Sequence, residues 1–195
     1  AEKYAEENFH LRAIAVYKTI LKLAPTLVEI NEKLGDLYHQ VGLDQDAVNQ
    51  YYIVAAYHDS KGMTKEAMGI RKKIIAIDPS NVTGRIRLAE LMRAEGKTEE
   101  SLREYERAAE IFVAKNTRDG LIEVYEKMLY FRPENVEMLI ALCRIYFEKR
   151  DFKKALRRIE TAPADVKKDL EVTEFWAEAL LEEGLVAHGR LVRVG

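Results

Sequence analysis

The chain has 195 residues, enough for one ordinary domain or one short solenoid. Its 31 basic and 33 acidic residues leave a net charge of −2, which argues against a nucleic-acid binder, because such a protein needs a basic face. A single cysteine excludes an internal disulfide framework and favours a reducing, cytoplasmic compartment. No apolar run reaches the roughly 18 residues that a membrane span needs.

The first residues match the rear part of a unit that recurs further along the chain. Ala1 falls where Ala55 and Ala109 fall, in the middle of a long predicted helix. We therefore interpret residues 1–27 as a partial unit whose apolar stripe, including Tyr4, Ala5 and Phe9, has no covering helix. This interpretation predicts fraying or end-to-end packing with another copy, because terminal repeats normally carry a polar outer face.

The first complete unit covers 28–81, and its apolar periodicity predicts three helices over 28–41, 44–61 and 64–77. Gly42 is a stop signal for the first of these helices. Asp44 and Thr64 are suited to cap the helices that follow, since their side chains accept hydrogen bonds from free backbone N–H groups.

The second unit, 82–135, predicts helices over 82–95, 98–116 and 118–131. The partial unit 136–184 gives helices near 135–149 and 152–161. Pro163 then falls where the long helix would continue, so a break is expected there and a fresh helix near 168–183. The tail 185–195 matches nothing in the repeat.

One period connects these units. Pro25, Pro79 and Pro133 recur every 54 residues, and other landmarks keep the same step. They are Gly35, Ala89 and Cys143; Tyr38, Met92 and Tyr146; Gly42, Gly96 and Arg150; Ala47, Ser101 and Ala155; Tyr51, Tyr105 and Ile159. So many landmarks at one spacing indicate an internal repeat.

The spacing inside the unit resembles the tetratricopeptide repeat (TPR), with Leu34-Gly35, Tyr38, Ala47 and Tyr51 in that family's slots. The unit departs from the pattern where Arg71 replaces an aromatic residue. The resemblance implies an all-α solenoid of ten or eleven antiparallel helices wound as a right-handed superhelix. Long bacterial arrays of this family look similar, including those that organise cell polarity, motility or envelope assembly.

The sequence offers no enzymatic constellation. Cys143 occupies the slot of Gly35 and Ala89, where a small residue lets helices approach, so a structural role is expected rather than a nucleophile. The same reasoning predicts that Gly35→Ala is neutral or stabilising. The histidines lack metal-ligand spacing, and no phosphate-binding or nucleophile motif is present. We predict no catalytic residues, no metal and no cofactor.

The resemblance implies that the second, fifth, ninth and twelfth positions of each first helix face a concave groove. Those positions supply the predicted partner-binding residues Glu29, Glu32, Asp36, His39, Ile86, Glu90, Arg93, Ile140, Arg144 and Phe147. Ile140 and Phe147 are the predicted apolar anchors, since exposed apolar residues in a row often mark a partner site.

The predicted function is a protein–protein scaffold that binds a partner protein or peptide without membrane insertion. The sequence leaves two alternatives open: an accessory or regulatory domain of a larger bacterial protein, and a helical-repeat RNA binder. The second is disfavoured because the predicted groove positions are acidic or aliphatic rather than basic.

Overall fold

The computed structural model describes the backbone of residues 2–193 and the side chains of residues 9–184. Within that range the chain is all-α, with ten α-helices and one short 3-10 helix. The helices are α1 Glu2–Leu23, α2 Val28–Gln40, α3 Asp44–Ser60, α4 Thr64–Ile77, α5 Val82–Ala94, α6 Thr98–Ala114, α7 Arg118–Phe131, α8 Val136–Glu148, α9 Phe152–Glu160 and α10 Leu170–Arg193. The helix positions predicted from the repeat are confirmed.

Five of the described helices are followed by a residue in the left-handed conformation. Gly42, Gly62 and Gly96 have φ of 77°, 67° and 76°, a region that glycine enters without steric cost. Asn116 and Arg150 adopt the same conformation with φ of 53° and 55°. Arg150 holds the repeat position of Gly42 and Gly96, so the helix stop persists without its glycine.

The break at Pro163 is also confirmed. Helix α9 ends at Glu160, a 3-10 helix spans Val166–Lys168, and α10 begins at Leu170. Helix α10 then extends to Arg193, well past the predicted end near residue 183. The side chains of Tyr4 and Ala5, which the sequence placed in the uncovered stripe, lie outside the described residues.

The chain divides into two compact units, Ala1–Glu104 and Tyr105–Gly195, here called unit 1 and unit 2. The core of unit 1 gathers the landmark residues of its first complete repeat, including Leu34, Tyr38, Tyr51 and Ile74. Connections of three or four residues join α1 to α2, α2 to α3, α3 to α4 and α4 to α5. Such short connections make neighbouring helices antiparallel.

Two layers of helices are defined by the side-chain contacts of unit 1. Lys73 of α4 binds Glu32 and Asp36 of α2, so α2 and α4 lie side by side. The Tyr52 hydroxyl of α3 donates to Asn81, the N-cap of α5, at 2.6 Å, so α3 and α5 lie side by side. Helices α2 and α5 have equivalent sequence positions but belong to different layers.

The core of unit 2 is built from α7, α8, α9 and α10. Leu142, Cys143, Tyr146 and Ile159 are buried in it, together with Val172 at the start of α10. Among the described residues, none of the helices combines the length and apolarity that a bilayer crossing requires.

Candidate partner-binding surfaces

An acidic cluster lies on α2 at three of the predicted groove positions. Lys73 Nζ donates to Glu32 Oε1 and to Asp36 Oδ1, both at 2.9 Å. The Tyr51 hydroxyl donates to the same Asp36 oxygen at 2.5 Å. Glu29 is exposed on the preceding turn. The structure therefore brings Glu32 and Asp36 together and neutralises part of their charge.

The pKa shifts in this cluster favour a protonated Tyr51 phenol and a charged Lys73. Burial, and then Asp36, raises the pKa of Tyr51 above its usual range, so the phenol stays protonated as the donor. Burial alone would lower the pKa of Lys73, but the bonds from Glu32 and Asp36 raise it overall. His39, the fourth predicted position on α2, is exposed and lies 2.7 Å from Asp44 through Nδ1.

The predicted residues on α5 lie beside a different helix. Glu90 pairs with Arg87 at 3.1 Å, and the same Arg87 lies 3.5 Å from Asp59 of α3. Ile86 is half-buried and Arg93 is exposed. Because α5 lies in the layer of α3, the structure does not bring these residues together with the acidic cluster on α2.

The predicted anchors on α8 are half-buried. The Phe147 ring makes edge contacts with Phe152 and Phe175, with centroids 5.1 and 5.0 Å apart. Ile140 also packs against the core of unit 2. Arg144 is exposed and forms an ion pair with Glu171 of α10. Phe147 and Ile140 therefore contribute to the packing of α8 against its neighbours.

A groove in unit 2 offers a more open apolar surface. It has a volume of about 500 Å³ and lies where α6, α7 and α8 meet. Its lining residues are Glu106, Ala109, Glu110, Val113, Ala114, Tyr125, Met128 and Met138. Most of the lining is apolar, and the two glutamates are exposed members of it.

Tyr125 gives this groove a polar group. Burial raises the pKa of its phenol, so the hydroxyl remains a hydrogen-bond donor at neutral pH. Glu106 and Glu110 are four residues apart on α6, which places them on one face about one turn apart. The groove thus combines apolar walls, one phenol and two neighbouring carboxylates.

Sequence reasoning missed this groove because it followed the first helix of each unit. Most of the lining comes from the middle helix α6 and the third helix α7. One sequence signal was available, because Glu106, Glu110 and Val113 are spaced i, i+4 and i+7 and so share one face of α6. Val113, the large apolar residue on that face, is exposed.

A second cavity in unit 2 contains a charged cluster. It has a volume of about 340 Å³ and is lined by Glu126, Tyr146, Lys154, Arg157, Arg158 and Thr161. The Tyr146 hydroxyl donates to Glu126 at 2.9 Å, and Arg158 Nε lies 3.6 Å from the other carboxylate oxygen. The Glu126 carboxylate therefore joins α7, α8 and α9.

Cys143 is buried in the core, as its repeat slot predicted. Burial raises the pKa of its thiol to about 12, so little thiolate forms at neutral pH. Among the described residues, no group of three histidine, cysteine or carboxylate side chains is placed to hold a metal ion.

No protein-family model matches the chain, and no curated protein matches it either. Among solved structures, a crystal structure of MamA is 18% identical over 95% of both chains, with a TM-score of 0.31. BtubC from P. vanneervenii is 15% identical over 98% of this chain and 92% of that one, with a TM-score of 0.47. YrrB, described as a TPR protein with an unusual peptide-binding site, is 15% identical over 94% and 88%, with a TM-score of 0.33.

Each of these TM-scores lies below 0.5, and the repeat is defined by the chain's own landmark residues. Leu34, Ala47, Tyr51 and Val54 hold the motif's slots, and all four are buried between antiparallel helices. The chain is an all-α helical-repeat protein whose landmark residues resemble those of the TPR motif. The 54-residue repeat contains three helices instead of the usual pair. In unit 1, the equivalent helices α2 and α5 therefore lie in different layers.

Proposed function

We propose that this chain is a non-enzymatic scaffold that binds a basic, apolar-anchored segment of a partner protein in the groove between α6, α7 and α8. The observation that carries the proposal is the pairing of an apolar groove of about 500 Å³ with Glu106 and Glu110. A cytoplasmic setting suits the single, reduced Cys143.

The groove can bind one or two large apolar side chains. Exposed Val113 and half-buried Met138 supply apolar contact surface, and buried Met128 completes the lining. Burying one leucine or phenylalanine side chain stabilises a complex by roughly 1.5–3 kcal/mol before the entropy of association is subtracted. Methionine suits such a surface because its unbranched side chain adapts to different partners.

Charge gives the groove its selectivity. Two carboxylates one turn apart favour a lysine or arginine on the partner and repel an acidic segment. The Tyr125 hydroxyl is a donor for a partner carbonyl group, which would fix the orientation of the bound segment.

The residues predicted from the repeat remain part of this proposal. Glu29, Glu32, Asp36 and His39 form one acidic contact surface on α2, and Arg144 adds a charge on α8. Ile86, Glu90 and Arg93 lie on α5, and Ile140 and Phe147 support α8. We propose the α2 surface as a secondary contact that affects the association rate more than the affinity.

Fluorescence anisotropy with three synthetic peptides tests the proposal. In the first peptide, leucines recur at helical spacing and lysines fill the positions beside them. The second peptide replaces each lysine with glutamate, and the third replaces each leucine with serine. The first should bind at least about tenfold more tightly than the other two, because only it offers both apolar anchors and positive charge.

Two variants locate the binding in the groove. Val113→Ser should weaken the first peptide, and Glu106→Lys with Glu110→Lys should transfer preference to the glutamate peptide. Glu100→Lys is the matched control, since it is exposed on the same helix but does not line the groove. Equal binding of all three peptides, or an equal effect of the control, would contradict the proposal.

A further inference from the structure

Basic residues are concentrated around α9 of unit 2. Residues 149–158 contain six lysines and arginines and one acidic residue, although the whole chain has a net charge of −2. The apolar residues of α9 face inward, since Phe152, Ala155 and Ile159 are buried. The helix is therefore held against the core by its apolar side and presents its charged side outward.

One face of this helix lines the second cavity of unit 2, whose volume is about 340 Å³. Four lining residues share that face because they are spaced i, i+3, i+4 and i+7. They are Lys154, Arg157, Arg158 and Thr161. The remaining two, Glu126 of α7 and Tyr146 of α8, are bonded to each other. The lining thus carries three cations and one carboxylate.

The neighbouring carboxylates satisfy only part of this positive charge. Asp151, outside the lining, lies 2.7 Å from Lys154 Nζ. Arg158 Nε is buried and lies 3.6 Å from Glu126, too far for a hydrogen bond, so it has no hydrogen-bond partner. Arg157 is exposed, and no hydrogen bond or ion pair involves its side chain among the residues that the structure describes. Two guanidinium groups therefore keep N–H donors available at the cavity.

We propose that this cavity binds a phosphorylated serine or threonine side chain of a partner protein. A phosphate monoester carries about −1.5 to −2 charges at neutral pH and has three strong acceptor oxygens, which suits three cations around one cavity. A guanidinium group binds two phosphate oxygens at once through its fork of N–H groups. Arg157 is the main contact, Lys154 adds a second charge, and Glu126 holds Arg158 in place. The site is separate from the groove between α6, α7 and α8.

The surroundings of the cavity favour a peptide over a membrane or an RNA. Its volume lies at the lower end of the range of ligand pockets, about 300–1,000 Å³, so it has room for a side chain together with its phosphate group. Insertion into a bilayer surface requires exposed apolar residues beside the basic ones, but the large apolar residues of α9 are buried or half-buried. Single-stranded RNA stacks its bases on exposed aromatic rings, whereas Tyr146 in the lining is buried.

Fluorescence anisotropy of the full chain with short labelled peptides tests this inference. The probe contains one phosphoserine flanked by alanine and glycine, and two matched peptides carry serine or glutamate in its place. The phosphoserine peptide should bind at least about tenfold more tightly than either, because it alone offers a double charge and three oxygens. Equal binding of the glutamate peptide would overturn the inference. So would tighter binding of inorganic phosphate, of vesicles containing phosphoinositides or of single-stranded RNA.

Substitutions on α9 locate the binding in the cavity. Arg157→Gln should weaken the phosphoserine peptide at least about fivefold, and Arg157→Lys should weaken it less, because lysine keeps the charge but lacks the fork. Lys153→Gln is the matched control, since Lys153 is an exposed cation of the same helix that does not line the cavity. Circular dichroism shows whether each variant stays folded.

Two outcomes with these variants would contradict the site. Equal effects of Arg157→Gln and Lys153→Gln would indicate general attraction to a basic surface. Loss of phosphoserine binding in Val113→Ser would place the peptide in the groove between α6, α7 and α8 instead. We expect Val113→Ser to leave this binding unchanged, so failure of this inference and failure of the proposed function are measured separately.

Discussion

Gly35 shows how a single buried contact changes what a repeat position tolerates. Its equivalents are Ala89 and Cys143, which predicted that alanine would be accepted. In the structure, a Cβ atom at Gly35 would lie 2.8 Å from Cε1 of the Tyr51 ring. That ring is buried, and its hydroxyl is bonded to Asp36, so it cannot move away freely. This contact argues against the prediction that Gly35→Ala is neutral or stabilising.

We expect Gly35→Ala to destabilise the fold by about 1–3 kcal/mol, the usual cost of overpacking. Urea unfolding followed by circular dichroism measures this change. Gly69→Ala is the matched control, since Gly69 is also inside a helix but has open space around it. That control should stabilise by roughly 0.5–1 kcal/mol, because alanine restricts the unfolded chain. Equal responses of the two variants would show that Tyr51 yields to the methyl group.

At the scale of helices, Asp59 connects three elements of unit 1. It lies at the end of α3 and accepts a hydrogen bond from Arg71 of α4 at 2.6 Å. Arg87 of α5 lies 3.5 Å from the same oxygen. Arg71 also donates to the carbonyl of Ala67, so its buried guanidinium depends on these two partners. Arg71 stands where the motif has an aromatic residue, and the ion pair accounts for that departure.

Asp59→Ala should therefore destabilise unit 1 by about 2–4 kcal/mol, since it leaves a buried arginine without its counterion. Asp165→Ala provides the control, because its ion pair with Lys168 is almost fully solvated. Such surface pairs contribute little, so the control should change stability by less than about 0.5 kcal/mol. Denaturant midpoints compare the two, and equal losses would mean that Arg71 finds water or another acceptor.

The boundaries of the helices were predictable, whereas their layers were not. Local signals such as Gly42, Gly96 and Pro163 act within one or two turns, and they marked the ends correctly. The position of α5 beside α3 depends on contacts such as Tyr52 with Asn81, which are 29 residues apart. No local pattern encodes that contact, and for the same reason the groove between α6, α7 and α8 was not anticipated.

At the scale of the whole chain, contacts remain near in sequence, as expected of a repeat protein. The cores of the two units contain different residues, and Leu34 and Leu142 hold equivalent positions in them. Replacing either leucine with alanine should cost about 2–5 kcal/mol, because each side chain is fully enclosed.

Hydrogen exchange shows which of the two units loses stability in each variant. We expect Leu34→Ala to accelerate amide exchange mainly within Ala1–Glu104, and Leu142→Ala mainly within Tyr105–Gly195, because local opening follows local stability. Mass spectrometry of peptic fragments would measure both patterns. Uniform acceleration along the chain in either variant would indicate one cooperative unit instead.

Each 54-residue repeat contains three helices, and this odd number has a consequence for how such a chain evolves. When a three-helix unit is duplicated into two alternating layers, every surface residue of the copy emerges on the opposite side from its parent. Glu32 and Ile86 hold the same position of the 54-residue repeat, yet Glu32 binds Lys73 whereas Ile86 lies in the other layer. Duplication of this unit therefore creates a new face rather than lengthening an old one, and selection can change each face separately.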